Sequence, residues 1–254
     1  MTPQTTQSSP NLSISLFIWK ESSADDSGFG SLVRSSLFLD LASSSIETYL
    51  GLDRKQGMAE VVAKKALRKQ IAKLLDLIPE EQVKRESAVV FGKLCQSDWF
   101  KKANRISIFV STKGEIITDG IIEHCLKSGK DLFIPRFKRG AQQMDMLQLQ
   151  SLKEFHELDT TLWGIRQPHP DASSPELFDL EDARLDLVIL PGMAFTTCGR
   201  RLGHGKGFYD RFLHRYESVY GVRPKTVALA LKSQIVDYVP VEEHDVNLDH
   251  VLHG

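Results

Sequence analysis

The stretch from Leu185 to Leu213 holds the densest set of residues able to do chemistry. A nearly unbroken apolar run, Leu185 to Pro191, leads into a polar turn. Arg200, Arg201, Gly203, His204, Gly205, Lys206 and Gly207 follow, and then a helical pattern opens near Phe208. Such a segment suits an anion. Glycines let main-chain N–H groups come close to oxygen atoms, a helix N-terminus adds partial positive charge, and Arg and Lys add full charges. Lys206 is followed by Gly207 rather than Ser or Thr, so this is not a Walker A loop, and the GxGxG spacing is not the dinucleotide fingerprint. A plain turn before a helix is the competing reading. The Arg-Arg pair and Lys206 inside the turn favour the anion site.

Other candidates lie outside that stretch. Lys64 and Arg68 are four residues apart and share a helix face, which by itself reads as a solvated basic face. Glu115 closely follows the apolar segment Arg105–Ser111, and ligands of open α/β sheets gather at the carboxyl ends of strands. An ordinary loop acid is the alternative. Arg136, after Phe133-Ile134-Pro135, is a candidate for anion contact, and Trp163 either stacks on a ligand or packs in the core. Asp186, inside an apolar run, reads as structural. Asp210 falls in the first turn of the helix after the glycine loop, where it would complement the helix dipole, and Asp245 would cap a turn. His244, His250 and His253 have no zinc-site spacing.

The elements that must position these groups can be read from periodicity. Val62, Ala66, Leu67, Ile71, Leu74 and Leu75 predict an amphipathic helix from Met58 to just before Pro79. Pro79-Glu80-Glu81 opens a second helix with Val89, Val90, Leu94 and Phe100 on its apolar side. Residues 105–111 predict a buried strand, 116–128 a helix ended by Gly129, and 131–135 a second strand. Residues 144–150 alternate as a half-exposed strand does, 185–191 suit a central strand, and 226–231 form another. Strands alternating with helices predict an α/β fold, a three-layer α/β/α domain with a largely parallel or mixed central sheet. The composition changes near Met58. Ser clusters at 22–23, 35–36 and 43–45 break every apolar run before it, so residues 1–57 read as a disordered extension and 58–254 as the folded domain.

The 254 residues carry 32 Lys and Arg against 33 Asp and Glu, with 41% hydrophobic and 26% charged residues. That balance argues against bulk electrostatic binding of nucleic acid. No stretch approaches the roughly 20 apolar residues of a membrane helix. The 3 cysteines, Cys95, Cys125 and Cys198, are too widely spaced for a disulfide framework or a CxxC metal pair, which suits a reducing compartment such as the cytosol. The Ser/Thr-rich start resembles a mitochondrial presequence in part, but Glu21, Asp25, Asp26, Asp40, Glu47 and Asp53 run against one. A cytoplasmic location is expected.

The segment Pro191-Gly192-x-Ala194-Phe195, followed by Gly199-x-Arg201-Leu202-Gly203-x-Gly205-Lys206-Gly207-Phe208-Tyr209-Asp210, resembles the signature of the 5-formyltetrahydrofolate cyclo-ligase (methenyltetrahydrofolate synthetase) family. The resemblance continues through "KKALR" at 64–68, "RISIFVS" with Glu115, "FIPRF" at 133–137, "MDM" at 144–146, "LWGIRQP" at 162–168, "VALAL" at 227–231 and the 239–245 segment, in order over residues 60–252. It implies an enzyme that uses ATP and a divalent cation, Mg²⁺, to turn 5-formyltetrahydrofolate into 5,10-methenyltetrahydrofolate, ADP and phosphate. It implies that Lys64, Arg68 and the loop Arg201, Leu202, Gly203, His204, Gly205, Lys206, Gly207, Phe208 and Tyr209 meet ATP, with Lys206 and Arg201 catalytic. It places Val110, Glu115, Trp163 and His204 through Phe208 at the folate, and Asp210 with Asp245 at the metal. Where many relatives have two tyrosines after the loop, this chain has Phe208-Tyr209, so one hydroxyl is lost. His204 varies among relatives and is not expected to be catalytic. A monomer without nucleic-acid or membrane partners is expected. Two other readings stand beside it: a non-catalytic RNA-associated or regulatory relative, for which no RNP-type aromatic sequence is present, and a sugar-phosphate isomerase on a similar scaffold, which would need no ATP.

Overall fold

The computed structural model describes residues 57–161, 164–181 and 184–254. The expected disorder before Gly57 and the two readings of Trp163 lie outside the described residues. In chain order the elements are α1 (57–76), α2 (Glu80–Gln96), α3 (Asp98–Lys102), β1 (Arg105–Ile108), α4 (Asp119–Lys127), β2 (Asp131–Arg136), β3 (Asp145–Leu149) and α5 (Leu152–His156). Then come β4 (Asp159–Thr160), β5 (Arg166–Gln167), β6 (Leu187–Leu190), β7 (Ala194–Phe195), β8 (Arg201–Leu202), α6 (Phe208–Tyr220), β9 (Lys225–Ala230) and β10 (His250–His253).

Six strands form one sheet in the order β10-β9-β6-β1-β2-β3. All neighbours pair in parallel except β2 and β3, which are antiparallel. The fold is therefore α/β with a mixed, mostly parallel sheet, as the alternation of elements predicts. Every residue of β6 is buried. Successive strand residues point to opposite faces, so both faces of the sheet centre are covered. Helix α4 packs on β2 and α2 on β10. The chain passes from β1 to β2 on one side and later returns to β6 on the other, so the strand order reverses at β1. In open α/β sheets the crevice at the carboxyl ends beside such a reversal is where ligands bind.

Asp186 fixes the start of this centre. Its carboxylate accepts from the N–H groups of Asn104 (2.7 Å) and Arg105 (2.9 Å), which locks β1 against the entry to β6. The structural reading of this acid agrees with that geometry.

Several expectations need correction. The predicted face of α1 is rotated: Val62 is 65% exposed, Leu74 is 43% exposed and Ala66 is also on the surface, while the inward stripe is Lys64, Leu67, Arg68, Ile71 and Leu75. A charged residue occupies the stripe because distant carboxylates neutralise it. Val89 is exposed, and Phe100 belongs to the separate short helix α3, since the chain breaks from helical geometry at Ser97. Helix α4 starts three residues later than expected, at Asp119, because Ile116 is drawn into the core and Thr118 bonds back to Phe109 O (2.9 Å). Strand β3 is buried more fully than a half-exposed strand, because residues 175 and 176 cover its outer edge: Gln148 N–H donates to Pro175 O (2.9 Å).

Candidate active site

The carboxyl ends of β1, β2 and β6 open into a cleft of about 760 Å³. Phe109 and Val110 continue β1 into its wall, Pro135 comes from β2, Phe137 follows it, and Pro191 follows β6. The opposite side is the glycine loop and the start of α6. Gly203, His204, Lys206, Gly207, Phe208, Tyr209 and Asp210 all line the cleft, as do Glu115 and Arg201.

The loop takes this path because of its glycines. Gly207 is the N-cap of α6 with φ 64°, in the left-handed region that favours glycine, and a side chain there would meet the Arg211 guanidinium at 2.9 Å. It supplies no capping side chain. The first-turn N–H groups of a 13-residue helix therefore remain available to a ligand at the cleft. Gly205 has φ 96°, and its Cα faces the Arg68 side chain.

Four charged groups frame the loop. Arg201 is buried, and its guanidinium donates to both oxygens of Asp210 at 2.8 Å. Its Nε, together with the Tyr209 hydroxyl, is buried without a partner among the described residues. Burial, and then the nearby Glu115 charge, push the Tyr209 phenol well above its ordinary range, so it stays protonated and can only donate or accept as a neutral hydroxyl. Lys206 projects from the loop as an exposed cation. Glu115 accepts from Thr112 N–H (2.8 Å) and Thr112 Oγ1 (3.0 Å), and its other oxygen lies 3.4 Å from His204 Nε2.

Helix α1 braces the loop from behind. Arg68 Nε donates to Gly203 O at 2.8 Å. One turn earlier Lys64, only 5% exposed, bonds Glu242 Oε2 and Asp245 Oδ2, both at 2.5 Å. Burial alone would lower its pKa, but the hydrogen bonds and charges of Asp245 and Glu242 outweigh that and raise it above its ordinary value. Lys65 and Lys69, on the same helix, are exposed.

The two acids at 210 and 245 approach through the main chain. Val246 N–H reaches Asp210 Oδ1 at 3.4 Å, so the residue after Asp245 docks on Asp210. Asp210 is held by Arg201, and Asp245 by Lys64. The sequence gives no warning that Glu242 and His244 join Asp245 in a group whose ligand atoms all lie within 4.8 Å. His244 is tied to α6 by its carbonyl, 2.9 Å from His214 Nε2. A second recess of about 410 Å³ lies here, lined by Glu242, Asp245, Arg200 and Arg201 among others.

Two expectations resolve differently. Leu202 packs its side chain with Ile71, Ala194 and Val239, which leaves only main chain for a ligand. Arg136 is not an anion contact. Its donors are committed to Asp145 (2.8 and 3.0 Å), His169 O (3.3 Å) and Pro170 O (3.0 Å), so it braces the β2–β3 connection. That connection also supplies cleft residues the sequence did not reveal, namely Phe137, Lys138, Arg139 and Ala141. Phe137 packs on Phe208 with ring centres 5.2 Å apart.

Comparison with known proteins agrees with this geometry. The sequence profile of the 5-formyltetrahydrofolate cyclo-ligase family matches residues 60–254. A Caenorhabditis elegans protein named "Probable 5-formyltetrahydrofolate cyclo-ligase" is 42% identical over 191 residues, 75% of this chain and 92% of that one. The mouse 5-formyltetrahydrofolate cyclo-ligase is 39% identical over 191 residues, 75% and 93% of the two chains. The solution structure of an Aquifex aeolicus 5,10-methenyltetrahydrofolate synthetase superposes with a TM-score of 0.60 at 28% identity, covering 74% of this chain and 88% of that one.

Proposed function

The chain belongs to the 5-formyltetrahydrofolate cyclo-ligase family, and from that premise we propose that it is an enzyme converting 5-formyltetrahydrofolate and ATP into 5,10-methenyltetrahydrofolate, ADP and phosphate. One observation carries the reading. A phosphate-ready glycine loop with Arg201 and Lys206 faces an apolar wall bearing Glu115 across a single cleft of about 760 Å³.

The chemistry requires that juxtaposition. A formamide carbon is a poor electrophile and its oxygen a poor leaving group. In the proposed course the formyl oxygen attacks the γ-phosphorus and ADP departs. N-10 then adds to the activated carbon, loses its proton, and the carbon–oxygen bond breaks to release phosphate. Catalysis of such a transfer consists mainly of alignment and charge stabilisation. Lys206 and Arg201, with the N-terminus of α6, neutralise charge on the phosphoryl oxygens. Glu115 accepts N–H bonds from the pterin, Val110 packs beside it, and His204 to Phe208 close the site over both substrates. Lys64 and Arg68 support the loop from α1. An ¹⁸O label in the formyl group tests the intermediate: it should appear in inorganic phosphate, and its recovery in water or unreacted folate alone would contradict the scheme.

A divalent cation bound here would offset the charge of the ATP phosphates. The residues fit Mg²⁺, since Glu242 and Asp245 offer carboxylate oxygens close together and Asp210 is tied to the same segment. We assign Asp210 and Asp245 to hold it. Asp210→Asn keeps an oxygen for Arg201 but loses the charge. The Mg²⁺ concentration for half-maximal rate should rise at least tenfold, measured by titration at fixed ATP. An unchanged Mg²⁺ dependence would remove Asp210 from the metal.

Residues 1–57 are proposed to be dispensable, since the family match begins at residue 60. A chain starting at Met58 should keep its turnover and its melting temperature to within a few degrees. Loss of half the activity, or of ten degrees, would show that the extension supports the domain. No helix among the described residues is long and apolar enough to cross a membrane. We place the enzyme in the cytoplasm as a monomer, while a 31% identical Arabidopsis thaliana relative is named mitochondrial.

A further inference from the structure

The cleft contains a cation that this chemistry leaves unused. Lys138 pairs with Asp145 (2.9 Å), Arg166 with Asp119 (2.5 Å) and Arg201 with Asp210 (2.8 Å). Among the described cationic residues that line the cleft, the side chains of Lys206 and Arg139 have no carboxylate or hydrogen-bond partner. Lys206 belongs to the glycine loop. Arg139 stands on the connection between β2 and β3, exposed, just before Gly140 turns the chain at φ 78°.

That connection is not left to drift. Arg211 donates from Nε to Gln142 O and from Nη2 to Lys206 O, both at 2.6 Å, and its guanidinium lies 5.4 Å from the centre of the Phe208 ring. One side chain thus staples the β2–β3 connection to the glycine loop. Arg139 presents a guanidinium fork in the same cleft lining as the apolar side chains of Phe137 and Ile165. A planar aromatic ligand can lie on that wall with an anionic end at the fork. Carboxylates match such a fork with two parallel hydrogen bonds.

We propose that Arg139 is the subsite for the glutamyl carboxylates of the folate, and so a specificity-determining residue. The inference rests on the proposed function, which supplies a substrate with a hydrogen-bonding pterin at one end and a dicarboxylate at the other. Glu115 repels carboxylates and suits the pterin, and the loop cations are taken by phosphate. Arg139 is what remains for the tail.

The test uses the full chain with 5-formyltetrahydrofolate and with 5-formyltetrahydropteroate, which lacks the glutamate. Affinity is measured by calorimetry and KM by steady-state kinetics. Arg139→Ala should raise Kd and KM for the glutamylated folate about tenfold, the loss expected for one charge-assisted contact. It should leave kcat, the KM for ATP and the binding of the pteroate compound unchanged. Arg139→Lys should restore only part of the loss, because it keeps the charge but not the fork. An equal loss with both folates, a raised KM for ATP, or no loss at all would each overturn the subsite. Wild-type turnover together with an indifferent Arg139→Ala overturns the subsite alone. A wild-type chain that binds neither folate overturns the function along with it.

Discussion

Lys206→Ala should lower kcat by about 10²- to 10³-fold, the loss typical of removing one preorganised group that stabilises transition-state charge. The Lys206 side chain is exposed and has no partner among the described residues, so its removal breaks no side-chain contact, the main-chain bond from Arg211 is kept and the fold should persist. ATP should still bind within a few-fold, because the α6 N-terminus and Arg201 remain. Single-turnover kinetics with saturating ATP separate the two effects. A kcat within threefold of wild type would show that the charge acts elsewhere, and a pure rise in the KM for ATP would make Lys206 a binding residue only.

Lys64→Met should destabilise the protein by about 2 kcal/mol, because removing the buried lysine leaves the half-buried carboxylates of Glu242 and Asp245 facing each other, with solvent screening part of their repulsion. The two acids come from a segment more than 170 positions away, so this cluster fastens α1 to the C-terminal part of the chain. A raised lysine pKa contributes stability that is fully present below the unfolded value of 10.5 and is lost as pH rises through the higher folded value. The cluster is therefore intact at neutral pH. Urea unfolding at pH 7 measures the effect, and adding Asp245→Asn to Lys64→Met should return part of it by removing one of the opposed charges. A loss below 1 kcal/mol, or strict additivity in the double variant, would show that the ions are solvated and uncoupled.

The same cluster explains what could and could not be read from the sequence. The glycine loop was legible because its signals are local: a strand, a run of glycines and cations, and a helix start within about twenty residues. The parallel sheet was legible because strands covered on both faces leave apolar runs such as Leu187–Leu190. The inward face of α1 was not legible, since it turns on Lys64, and a lysine reads as surface until carboxylates 178 and 181 positions away are known to meet it. Arg139 was hidden for a similar reason. It lines the cleft only because the chain brings its loop to the glycine loop, where Arg211 bonds Gln142 O across 69 positions and Lys206 O. Strand β10 was missed because its four residues carry two histidines and no turn signal, and only pairing with β9 defines it. Arg136 misled because an arginine at a strand end suits an anion as well as it suits a carboxylate and two carbonyls.

ATP dependence of ring closure tests the central claim most directly. The purified full chain is mixed with 5-formyltetrahydrofolate and Mg²⁺, and the absorbance of 5,10-methenyltetrahydrofolate is followed with and without ATP. Product should accumulate steadily with ATP, in equal amount to the ADP formed, and not rise above the enzyme-free rate without it. Product formed at the same rate without ATP, or ATP consumed with no methenyl product, would contradict the account.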